Sequence, residues 1–127
     1  MTSAATPAHD ESARQRVLGE YRILDTLPQG AYDDIVRVAS AVCDTPVALV
    51  SLVDRDRQWF KARIGMQDPQ TSRQVAVCDH AIRSPDQLME VHDLSRDARF
   101  ADNPIVTGDM GARFYAGMPL VSPEGAA

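Results

Sequence analysis

The chain has 127 residues, 44% of them hydrophobic and 24% charged, and carries a formal charge of −5. That length suits one domain around one hydrophobic core. The acidic balance disfavours nucleic acid as a partner, no apolar run reaches the length of a membrane span, and two cysteines, Cys43 and Cys78, are too few for a disulfide scaffold.

Residues 1–10 are small and polar and read as a disordered tail ahead of a single domain over residues 11–127. The tail lacks the apolar core of a signal peptide, so the reducing cytoplasm is the expected setting. Asp10 or Ser12 is placed to cap a helix over residues 14–24, with Val17, Leu18, Tyr21 and Leu24 near one face. Residues 25–28 end it, because the residue before Pro28 resists helical backbone angles. A second helix is expected over residues 29–43. Its apolar face is Tyr32, Ile35, Val36, Ala39, Val42 and Cys43, and its polar face is Asp33, Asp34, Arg37 and Ser40.

Residues 47–53 are apolar on both alternating faces, which predicts a strand in the middle of a sheet, covered above and below. Asp54, Arg55, Asp56 and Arg57 suit a hairpin turn. The return strand alternates Gln58, Phe60, Ala62 and Ile64 against Trp59, Lys61 and Arg63, which predicts a half-exposed strand. Residues 66–74 read as a loop. Residues 78–84 read as a short helix with Cys78, Ala81 and Ile82 inward. A third strand is expected over 88–93, an irregular helical segment over 95–103 and a loop over 105–111. A fourth strand spans 113–121, with a bulge or unpaired edge at Pro119. Residues 122–125 form the kind of turn that introduces another strand, yet the chain stops at Ala127 and so reads as truncated.

Six motifs recur in order: YRILDT from Tyr21, YDDI from Tyr32, PVALVSLVDRDRQWFKA from Pro46, CDHAI from Cys78, DARFADNPIVTG from Asp97 and RFYAGMPL from Arg113. Together they resemble the GAF domain of bacterial signalling proteins. The resemblance covers residues 13–125 and is greatest to the subgroup found ahead of histidine kinase and diguanylate cyclase modules. It implies an α+β fold, an antiparallel sheet flanked by helices, with a small-molecule pocket between sheet and loops. It also implies a sensory or regulatory role without catalysis, pairing of two copies through the N-terminal helix, and an output kinase or cyclase domain in relatives. Val77 stands where the subgroup has Phe. The family continues after the Gly125 turn with a further central strand, and without it residues 47–53 lack one neighbour. The chain alone is therefore expected to be marginal and aggregation-prone.

The residues expected to line a ligand pocket are Phe60, Cys78, His80, Ile82, Phe100, Arg113, Phe114, Tyr115 and Met118. Arg113 offers a planar donor fork for a carboxylate or phosphate, and Tyr115 a hydroxyl. The alternative for Arg113 is an ion pair with Asp93 or Asp97, with Phe114 and Tyr115 in the core. Cys78 and His80 could form a nucleophile and base, but a core thiol beside a hydrogen-bonded histidine is the simpler reading. No zinc-ligand spacing is present, and no cofactor is identified. A redox enzyme similar to a GAF-type methionine sulfoxide reductase is the alternative, and it requires Cys43 and Cys78 to cooperate. A non-functional remnant of a sensor kinase or cyclase is the other.

Overall fold

The computed structural model describes residues 10–123 and 125–127. Helices and antiparallel strands give an α+β chain. It divides into two compact units, Leu18–Gln74 and Met1–Val17 with Val75–Ala127. The first helix, α1 (Glu11–Tyr21), passes the boundary between them in sequence. Asp10 caps it, its carboxylate accepting the Ala13 N–H at 3.1 Å. The helix stops at Tyr21, short of the expected residue 24, because Arg22 takes a left-handed conformation, with φ 52°.

In the Leu18–Gln74 unit, α2 (Gly30–Cys43) packs on a three-stranded antiparallel sheet of β1 (Ala48–Val53), β2 (Arg57–Ile64) and β3 (Gln70–Ser72), in the order β1-β2-β3. The buried cluster is Val36, Val50 and Ala62, with Tyr32, Ala48 and Ile64 against it. The covered stripe of α2 is narrower than the apolar pattern predicts. Tyr32 and Val36 face the sheet, whereas Ile35, Val42 and Cys43 are exposed. Ser40 is drawn to the covered side because its hydroxyl donates to the Thr45 carbonyl at 2.6 Å.

The expected hairpin forms, with Val53 opposite Gln58 and Asp54 N–H bonded to the Arg57 carbonyl. The central strand of the unit, however, is β2. The residues expected to lie in a loop pair with it as β3, with Gln58 opposite Thr71. Among the described residues β1 has β2 on one side and no strand on the other. The half-exposed character expected of the return strand is overturned: Gln58 through Ala62 are all buried. Gly65 closes the hairpin at φ 77°, and a Cβ there would lie 2.1 Å from the Pro46 carbonyl oxygen, so only glycine fits.

Past its share of α1, up to Val17, the other unit is built from short pieces. α3 (Cys78–Ala81) is one turn, shorter than expected. β4 (Met89–Val91) and β5 (Tyr115–Gly117) pair antiparallel, with Val91 opposite Tyr115. They are the third and fourth expected strands, cut to three residues each. α4 (Pro104–Thr107) lies where a loop is expected. Its signals are Asn103 at the cap, accepting the Ile105 N–H at 3.0 Å, and Pro104 in the first turn. Phe100 and Leu94, at 2% and 1% exposure, centre a core completed by Val77, Val91 and Val106.

Candidate functional site

α3 and β5 bring part of the expected pocket together. The Cys78 thiol at the start of α3 meets the Tyr115 hydroxyl on β5 at 3.3 Å. Burial pushes the Tyr115 hydroxyl well above its ordinary pKa, and Cys78 beside it adds to the shift. Tyr115 is thus a neutral hydroxyl able to donate and accept. Its ring lies over Gly117, where a Cβ would fall 2.1 Å from the hydroxyl oxygen, so the glycine makes room for the ring.

Two residues along α3, His80 sets its ring edge-on to Phe100, with centroids 4.9 Å apart at 89°. Burial pushes the His80 pKa down, and the Arg83 charge adds to that, so the imidazole is neutral at pH 7. Its ring nitrogens make no hydrogen bond among the described residues. α3 thus sets a thiol against the Tyr115 hydroxyl and, two residues on, a neutral imidazole against the Phe100 ring. The Arg99 guanidinium lies over that same ring, 4.8 Å from its centre.

The other expected pocket residues are dispersed. Ile82 is buried just past α3. The Arg113 guanidinium donates to the Val106 and Ala112 carbonyls at 3.1 and 2.9 Å, so it braces the loop before β5. Neither expected acid is its ion-pair partner. Asp97 pairs with Arg99 at 2.8 Å, which pulls its pKa down to about 2, and Asp93 caps the turn at Ser95 and pairs with Arg96. Phe114 is exposed, edge-on to His92, and Met118 is exposed. Phe60 is a buried residue of β2 in the other unit.

The Leu18–Gln74 unit holds a cleft of about 550 Å³ beneath the segment joining α1 to α2. Lys61, 3% exposed, lies at its base. Its ammonium donates to the Thr26 hydroxyl and the Leu27 carbonyl, both at 2.6 Å, and sits 5.6 Å from the centre of the Tyr32 ring. Asp25 on the rim is held by Arg57 through two contacts of 2.8 Å, which lowers the Asp25 pKa. Among the described residues, no group of three or more His, Cys, Asp or Glu side chains is placed to hold a metal ion. No helix is long and apolar enough to cross a membrane.

Residues 28–126 match the GAF domain family. The chain belongs to that family. Among curated proteins this GAF domain is similar to a cyclic di-GMP phosphodiesterase of Pseudomonas aeruginosa, with 40% identity over 123 residues. The match takes in 95% of this chain and 21% of the relative, so the chain spans about a fifth of the protein it resembles. The GAF domain motifs quoted above distribute between both units. CDHAI supplies Cys78 and His80, RFYAG supplies Tyr115 and Gly117, and QWFKA supplies Lys61. Lys61 was not among the expected site residues. Its one sequence signal is a charged residue between Phe60 and Ala62.

Proposed function

We propose that this GAF domain is the sensory part of a bacterial signalling protein. In this reading a small uncharged ligand binds at His80 and Tyr115, and its occupancy biases an output domain. The observation that carries the proposal is His80, a half-buried, neutral imidazole whose nitrogens have no hydrogen-bond partner among the described residues. Polar atoms withdrawn from water without a partner are costly. A ligand presenting a donor or acceptor to the imidazole would supply one. The Tyr115 hydroxyl and Cys78 thiol would supply further contacts.

The output we propose is an enzyme of cyclic di-GMP turnover or a histidine kinase. The first is supported by the activity named for the relative. Coupling would work by population shift, the ligand favouring one of two arrangements of the terminal elements. Pairing of two copies through α1, whose Tyr21 is exposed, would transmit it. A cytoplasmic setting accords with Cys43 and Cys78 standing outside any disulfide. A thermal-shift screen of neutral metabolites, repeated on His80→Ala and Tyr115→Phe, tests the binding step. A ligand at 100 times its Kd stabilises the folded state by about 2.7 kcal/mol. The expected result is a compound that raises the melting temperature of the parent chain and has a smaller effect on both variants. A screen in which every stabilising compound acts equally on the variants contradicts the proposal.

A further inference from the structure

β2 carries one residue more than β1 across the middle of the hairpin. Val50 lies opposite Ala62 and Ser51 opposite Phe60, which leaves Lys61 as the extra residue of a β-bulge. A bulge changes the direction of the side chain it carries, and such bulges recur beside functional sites. Here it accompanies a lysine that is buried against the α1–α2 segment. Fully buried lysines are rare unless paired with a carboxylate. The hydrogen-bond partners of Lys61 are two neutral oxygens, and an ammonium has three N–H donors, so one donor is left over beside the cleft.

The cleft has a net positive charge. Lys61 and Arg22 contribute two positive charges, and the Arg22 guanidinium makes no hydrogen bond or ion pair among the described residues. Asp25, the acid lining the cleft, is already neutralised by Arg57. The walls include the Tyr21 and Tyr32 rings. The rim is held in an unusual backbone state, with Arg22 and Asp25 both left-handed at φ 52° and 61°. Non-glycine residues in that region cluster where function over-determines the backbone.

We propose that this cleft is a binding site for a small organic monocarboxylate with a planar apolar body. The carboxylate would take the spare Lys61 donor and the Arg22 guanidinium, and the body would lie between the tyrosine rings. A carboxylate has two oxygens, one for the spare Lys61 donor and one for the Arg22 guanidinium. The volume lies within the range of small-molecule pockets. This site is separate from the one at His80, and either can fail without the other.

The test is a titration of the 127-residue chain with benzoate, phenylacetate and indole-3-carboxylate, followed by NMR. Benzamide serves as the neutral match to benzoate. At least one carboxylate is expected to shift the Tyr21, Arg22 and Tyr32 resonances saturably, with benzamide at least about tenfold weaker than benzoate. Lys61→Met is expected to abolish binding. Arg22→Ala, an exposed change that keeps the test decisive if Lys61→Met does not fold, is expected to weaken it about fivefold. Added salt is expected to weaken the parent chain's binding more than the Arg22→Ala variant's. Absence of saturable shifts from all three carboxylates overturns the proposal. So do shifts confined to His80 and Tyr115, equal binding of benzamide, or an Arg22→Ala variant that binds like the parent.

Discussion

The two units of this GAF domain are held together in different ways. In Leu18–Gln74, an eight-residue central strand is laddered on both sides and covered by a 14-residue helix. In the other unit, past the α1 residues up to Val17, strands of three residues and helices of one turn leave most backbone groups outside regular structure. Single side chains satisfy several of them there. Asn103 caps α4 and donates to the Val75 carbonyl at 3.0 Å, Asp93 caps the turn at Ser95, and Arg113 holds two carbonyls. The ladder makes a scaffold. The side-chain-held unit carries Cys78, His80 and Tyr115, and parts that respond to ligands are drawn from the less stable regions of a protein.

The contrast can be broken first at its cores. Phe100→Ala empties the centre of the short-element unit and is expected to cost about 3–5 kcal/mol in urea unfolding. Val36→Ala in the laddered unit should cost about 2 kcal/mol, because fewer atoms are lost. A Val36→Ala cost as large as that of Phe100→Ala would show that the α2 contact with the sheet matters more than its buried area indicates. Gly65→Ala comes next. The left-handed backbone alone costs about 1–2 kcal/mol, and the contact with Pro46 adds to it. A neutral result would show that the hairpin closes differently.

Asn103→Ala removes a cap and a hydrogen bond to Val75, and about 1–2 kcal/mol of stability is expected to go with them. Asn103→Asp keeps the cap acceptor and loses the donor, so it should retain part of that stability. The smallest effect concerns pH. Because the folded state holds His80 below its ordinary pKa, protonation favours the unfolded chain. The stability tied to the neutral ring is intact above about pH 6.5 and falls as the pH drops below that value, until the depressed folded pKa is passed. His80→Gln should flatten this part of the pH profile in thermal melts, and an unchanged profile would place the titration elsewhere.

Regular elements were legible because their periodicity repeats. The alternation from Val47 to Ile64 and the spacing of Tyr32 and Val36 locate the hairpin and α2 within a residue or two. Burial within them was less legible, since it depends on what packs from outside. Ile35 and Val42 look like core residues by spacing and are exposed, whereas Lys61 looks like a surface residue and is buried. α4 was hidden because its four residues rest on a cap and a proline. Of the residues expected to line a pocket, Cys78 meets Tyr115 and His80 meets Phe100, while Phe60 belongs to the other unit. The sequence misjudged the surroundings of Arg113, whose carbonyl partners belong to a loop that has no periodic signal.

One unit is a scaffold that holds, and the other is the one expected to yield. Native-state hydrogen exchange on the free chain tests this most directly. The amides of β2, paired on both sides, should exchange at least about 100-fold more slowly than those of β4 and β5. That pattern would identify the unit bearing His80 and Tyr115 as the one that opens first. Equal protection in both units, or slower exchange in β4 and β5, would contradict the account.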